Sequence, residues 1–326
     1  MTIIPENYNE LISSFNYPGS ENEPLDVFCG VMGGYPYEAI LPWVNSIEQS
    51  GFTGLKVMII YFAEISLVQK LRERGWLVLC FDKLLDRNMY IYNTAGEYSP
   101  PNYLTGKQFH ICVDRFYHLW FFLSKLPEHI KSRCRYITAT DVKDIIFQSN
   151  PFTWLENNLQ DGKKIVAITE SITYGNETNF GARNLTECFG DKMFEYMKER
   201  LIYNAGTMAG EFNTMVDIFL QIYMMSMGGN IKHLQPDQAA YNILLSLAPY
   251  KNITQYMMSE DGWAAQLGTC WSHKMFEGKI CEPFPVLDRS SQLLCTSKNK
   301  PYVIVHQYDR IPELAQLFYP KYAFSN

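Results

Sequence analysis

The first 82 residues constrain the fold more than any other part of the chain. LDVFCGVMGG reads as a buried strand ending in glycine, and YEAILPWVNSIEQSG has apolar residues at helical spacing before a glycine stop. LKVMIIYFA is a second strand, EISLVQKLRERG a second helix and WLVLCFD a third strand. Strands this uniformly apolar need cover on both faces. A βαβαβ alternation supplies it through a parallel sheet with helices on either side. The expected fold class is therefore α/β, with a Rossmann-like mixed, mostly parallel sheet flanked by helices. In such sheets ligands bind beyond the carboxyl ends of the strands, where strand order reverses.

A connection rich in Asn, Tyr and Pro follows over about residues 87 to 105, long enough to act as a flap. QFHICVDRFYHLWFFLSKL then reads as an amphipathic helix, and CRYITATD and KKIVAITES as strands. FGDKMFEYMKERL looks helical, YNAGTMAGE reads as a glycine-punctuated turn, and FNTMVDIFLQIYMMSMGG is a helix with a glycine terminus. PDQAAYNILLSLAPY opens a helix with Pro and Asp in its first turn. The strand PYVIVHQYD and a short helix close the chain. Without repeats, low-complexity runs or a clean linker, residues 1–326 read as one domain with an elaborated C-terminal half.

Bulk properties exclude some functions. The net charge is −6 and no Lys/Arg cluster is visible, which argues against a nucleic-acid partner. Eight cysteines (29, 80, 112, 134, 188, 270, 281 and 295) form neither a CxxC pair nor a metal-finger spacing, and read as reduced thiols of a cytoplasmic protein. The sequence MTIIPENYNELISSF has no basic segment followed by a long apolar one, so neither a signal peptide nor an anchor is expected. No apolar run reaches the length of a transmembrane segment. The sequons at Asn176, Asn184 and Asn252 are then accidental, because that acceptor motif matters only in a secretory lumen.

The chemistry concentrates in four short blocks. In RYITATDVKDIIFQSNPF, Asp141 and Asp144 stand at the exit of a strand, where paired carboxylates suit a hard divalent cation; the same spacing also suits a solvated turn. YNAGTMAG brings Asn204 and Gly206 to a place where backbone could pass close to a ligand. DQAAYN puts Asp237 and Gln238 at a helix start. VIVHQYDR ends an apolar strand in His306, whose imidazole could complete a metal site.

This ordered set (D-x-x-D after a strand, N-A-G-x-x-x-G, D-Q-x-x-x-N and a late strand ending in His) resembles nucleotide-sugar-dependent glycosyltransferases of the GT-A fold. It is most similar to their retaining, glycogenin-like branch, over roughly residues 25 to 310. The family usually has D-x-D, and this chain has two residues between the acids. The resemblance implies a single GT-A-like domain with a nucleotide-binding half (25–150) and an acceptor and catalytic half (151–326). It further implies Mn2+ or Mg2+, and transfer from a UDP- or GDP-linked sugar to a glycan acceptor hydroxyl.

It also implies roles. Asp144, Asp141 and His306 are the candidate metal ligands, with Asp141 either a ligand or the group that touches the ribose. Asp237 and Gln238 would lie near the anomeric carbon, although Asp237 also fits a helix-start acid favoured by the dipole. Arg115, in VDRFYHLW, would face the donor phosphates; a snorkelling stem is the plain alternative. Gly30, Val31, Met32 and Tyr35 would border the nucleobase, with Asn204 and Gly206 along a sugar. WAAQLGTCW would shape the acceptor site, or bury Trp263 and Trp271 in the core. Inversion would need a general base, for which Asp237 could also serve.

Two other functions compete. A sugar nucleotidyltransferase would share the sheet and the acids, but GVMGGYPYE lacks the basic residue that grips a triphosphate. A carbohydrate-binding protein of the same fold would need no catalysis, yet all four blocks are retained.

Overall fold

The computed structural model describes residues 4–5, 7–80, 92–93, 111–229, 235–270 and 276–324. The βαβαβ unit is present: strands Leu25–Met32, Leu55–Ile60 and Leu77–Cys80, connected by helices Tyr37–Gln49 and Ile65–Glu73. These strands pair in parallel, and Cys134–Thr140 joins the free side of the first, also in parallel. Thr207–Glu211 then runs antiparallel between Cys134–Thr140 and Ile165–Thr173, and Thr254–Met257 adds a parallel edge. The result is a mixed, mostly parallel sheet, as expected.

Alternation along each strand explains the helical cover. Val27, Cys29, Val57 and Leu79 point into a core shared with helices Ile111–Ser124 and Phe212–Gly228. Phe28, Met58, Ile60 and Val78 point into the opposite core, with helices Tyr37–Gln49 and Ile65–Glu73. Each such side chain contributes about 1.5–3 kcal/mol on burial, so both layers are held firmly.

A second, three-stranded sheet positions the site. Ile304–His306 lies between Ala264–Gln266, in parallel, and Ile145–Phe147, antiparallel. The chain leaves the main sheet at Thr140 and enters the small one at Ile145, so Asp141 and Asp144 occupy the junction between them. His306 is the cross-strand partner of Ile145, which carries it to the same junction.

Three local expectations need correction. YNAGTMAGE is not a turn alone: Thr207–Glu211 is a central strand, and Leu201–Tyr203 pairs with Ile165–Thr173. Small residues let it fit between two neighbours, a role that its composition disguised. The helix expected over FGDKMFEYMKERL is confined to Asp191–Met197, and a helix that the sequence reading did not foresee, Phe180–Phe189, stands before it across Gly190, whose φ is 86°. The late strand is three residues, Ile304–His306, because Gln307 takes a left-handed φ of 63° and starts a short 3-10 turn. The connection over 87 to 105 lies outside the described residues apart from Tyr92 and Asn93, and so does Trp271. Trp263 is fully buried, which makes it a core residue. Among the described residues seven cysteines are free, and no helix is long and apolar enough to cross a membrane.

Candidate active site

Asp141, Asp144 and His306 each offer a ligand atom, and these atoms lie within 4.8 Å of one another. His306 Nε2 is 3.6 Å from Asp141 Oδ2 and 3.7 Å from Asp144 Oδ1. On the other side of the ring, Nδ1 is 2.6 Å from Gln266 Oε1. The Gln266 amide nitrogen donates to Thr207 Oγ1 at 2.7 Å, so its oxygen faces the ring and Nδ1 carries the hydrogen. The lone pair of the neutral ring is thereby directed from Nε2 toward the two acids. Nε2 is buried and has no hydrogen-bond partner. Two oxygen donors and one orphaned imidazole nitrogen fit a divalent cation of the Mn2+ or Mg2+ kind.

The backbone around this cluster is fixed. Gln307 N–H donates to the Asp144 carbonyl at 2.6 Å, and its side chain accepts from Gly268 N at 2.8 Å. Asp141 N–H donates to the Gly206 carbonyl at 2.9 Å. A Cβ on Gly206 would stand 2.6 Å from Asp141 Oδ2 and 2.8 Å from His306 Cε1. Only glycine lets this backbone pass so close to the acids.

Arg115 joins the cluster to the second acidic block. Its guanidinium is hydrogen-bonded to Asp141 Oδ1, to Asp237 Oδ2 at 3.1 Å and to the Ala205 carbonyl at 3.4 Å. Its Nε donates to the Cys112 carbonyl at 3.1 Å. The cation is satisfied by partners on three sides, so it is no snorkelling side chain. Asp237, the first residue of helix Asp237–Ser246, is buried.

The charges interact as this geometry requires. Burial would raise the Asp141 carboxyl, but Arg115 and His306 outweigh it and hold the group below the usual carboxylate range. Burial raises Asp144, with Asp141 adding to the effect against the pull of His306. Burial likewise raises Asp237 despite Arg115. Burial would lower His306, yet Asp144 and Asp141 push its pKa up.

These residues adjoin a cleft of about 370 Å³. Val31, Met32 and Tyr35 line one wall, Arg115, Asp141 and Asp144 another. Gly30 lies below, packed against Trp43. Asn204 and Gln238 sit beside the cluster: Asn204 Oδ1 accepts from Gly206 N at 2.7 Å, and Gln238 Oε1 accepts from Ala205 N at 3.2 Å. All four motif blocks thus meet in one place.

Sequence reasoning passed over several participants. Gln266, which orients His306, sat inside WAAQLGTCW. Lys143 and Arg310 add positive charge to the cleft lining, and Lys143 pairs with Asp309 at 3.1 Å. Both cations flank quoted motif residues, and this adjacency was the only available signal.

No family model matches the chain, and no curated protein matches it in sequence. Solved structures do match. The glycosyltransferase GlyE of Streptococcus pneumoniae TIGR4 superposes with a TM-score of 0.52 at 13% identity, covering 94% of this chain and 61% of that one. The galactosyltransferase LgtC, solved with donor and acceptor sugar analogues, gives 0.47 at 10% identity, covering 90% of this chain and 95% of that one. Mouse xyloside xylosyltransferase 1 gives 0.47 at 13% identity, covering 89% and 100%. The architecture is that of GT-A glycosyltransferases. This chain spans 61% of the length of GlyE.

Proposed function

We propose that this chain is a cation-dependent glycosyltransferase that moves a sugar from a UDP- or GDP-linked donor to a glycan hydroxyl with retention of configuration. One observation carries the reading: Asp141, Asp144 and the orphaned Nε2 of His306 converge beside a cleft, and Arg115 ties them to Asp237. A soluble binding protein has no need to bury such a set of charges, because each costs desolvation.

Asp141, Asp144 and His306 would hold Mn2+ or Mg2+. When bound, such a cation supplies Lewis-acid neutralisation of the charge that gathers on a departing diphosphate. Val31, Met32 and Tyr35 form the wall against which a nucleobase would lie, and Lys143 and Arg310 add positive potential for the phosphates. Arg115 holds Asp141 and Asp237 in fixed relation, at the metal end and the sugar end. Asp237, with Gln238 beside it, would lie near an anomeric carbon that becomes oxocarbenium-like. Asn204 and Gly206 border the transferred sugar. On this reading residues 25–150 form the nucleotide half and 151–326 the acceptor half of one domain. The free cysteines fit a reducing compartment, and we place the activity in the cytoplasm.

The test is donor turnover across a panel of UDP- and GDP-sugars, with and without chelator, in the wild type and Asp237→Asn. The variant is expected to lose turnover far more than donor affinity. Normal turnover in the variant would return Asp237 to a helix-start role. The absence of turnover with every donor would overturn the reading.

A further inference from the structure

Ser171 interrupts the strand Ile165–Thr173 with a φ of 60°, a left-handed conformation that is strained for serine. The conformation is clamped. Ser171 Oγ donates to Glu282 Oε2 at 2.5 Å, its carbonyl accepts from Cys281 N at 2.9 Å, and its N–H donates to Thr169 Oγ1 at 2.9 Å. Pairing with Leu201–Tyr203 loses register between Thr169 and Thr173. Irregularities of this kind re-aim a side chain, and here the residue re-aimed is Glu170.

The Glu170 carboxylate collects three donors from three separate elements. Oε1 accepts from Asn204 Nδ2 at 2.8 Å and from Gln238 Nε2 at 3.0 Å, while Oε2 accepts from Thr269 Oγ1 at 3.0 Å. A carboxylate only accepts, so both amides must turn their nitrogens toward it. Their oxygens then point the other way, onto the backbone N–H groups of Gly206 and Ala205. One carboxylate thereby sets two amide orientations and pins the 204–206 backbone, whose Ala205 carbonyl meets Arg115 and whose Gly206 carbonyl meets Asp141 N.

We propose that Glu170 is a positioning residue of the transfer site, holding Gln238 and Asn204 in the orientation that faces the donor sugar. This inference rests on the glycosyltransferase reading. In Glu170→Leu the side chain keeps its bulk and offers no acceptor, so the Asn204 and Gln238 amides both lose their partner. A misplacement of about 1 Å in a positioned group costs about 100-fold in rate.

The experiment compares wild type, Glu170→Leu and Glu170→Asp in donor turnover, donor KM, Mn2+ binding and melting temperature, with crystal structures of the wild type and Glu170→Leu. The expected result is a kcat in Glu170→Leu lower by about 100-fold, with KM and Mn2+ affinity close to wild type and a protein that is fully folded at the assay temperature. Glu170→Asp, which keeps the acceptor oxygens, should recover part of the loss. In the Glu170→Leu crystal, Asn204 Oδ1 or Gln238 Oε1 should have left its backbone N–H. Unchanged kcat, or a loss that follows the melting temperature, would overturn the proposal. A wild type that turns over no donor defeats the functional reading instead. The amide positions then decide the role of Glu170 alone, and unmoved amides would refute it.

Discussion

His306 Nδ1 lies 2.6 Å from Gln266 Oε1, and this bond decides what the opposite nitrogen can do. With Nδ1 occupied, Nε2 is the atom that faces Asp141 and Asp144. Substituting Gln266 by Leu keeps the bulk and removes the acceptor. Divalent-cation affinity should fall by about 10- to 100-fold, the usual cost of losing the partner that orients a histidine ligand. Calorimetric titration with Mn2+ measures it, and unchanged affinity would remove Gln266 from the site.

Arg115 is held by two carboxylates, one of them the buried Asp237. Arg115→Gln leaves that charge without its cation, a change that costs about 3–5 kcal/mol when a buried pair is broken. Urea unfolding near neutral pH should record a loss of this order. Adding Asp237→Asn should return part of it, because the buried Asp237 charge is then gone and only Asp141 has lost the guanidinium. A double variant no more stable than Arg115→Gln would mean that the pair is not coupled.

A third outcome concerns Gly206. In Gly206→Ala the new methyl must displace Asp141 or His306, at about 1–3 kcal/mol of overpacking. Mn2+ affinity and turnover should both fall sharply, while circular dichroism stays that of the wild type. Retained cation binding would show that the acids can move aside.

The pH dependence follows from His306. In cation-free protein its folded pKa is raised by Asp144 and Asp141 above an unfolded value of about 6.5. Its contribution to stability is therefore fully present below that unfolded value and is lost as pH rises through the folded one. The stability difference between wild type and His306→Gln should shrink over that window. Mn2+ affinity should rise over the same window, since proton and cation compete for Nε2. A stability difference that grows with pH would contradict the assignment.

The first half of the fold was legible because its strands are buried on both faces and read as unbroken apolar runs, as at Val27, Phe28 and Cys29. The acids and His306 were legible because polar groups ending apolar strands stand out. Thr207–Glu211 was not: a central strand built of Thr, Ala and Gly has the composition of a turn. Glu170 and Gln266 were hidden for another reason. Their partners, Asn204, Gln238, Thr269 and His306, lie 34 or more residues away in sequence, and only the tertiary fold brings them together.

The account depends above all on one shared cation site, and Mn2+ titration into wild type and Asp144→Ala, each with UDP or GDP present, tests it most directly. The Asp144 carbonyl that accepts from Gln307 N is kept in the variant, so the fold should persist and its melting temperature should stay near wild type. One Mn2+ per wild-type chain and at least about a 100-fold weaker affinity in Asp144→Ala are expected. Equal affinity in both proteins would contradict a cation held by Asp141, Asp144 and His306.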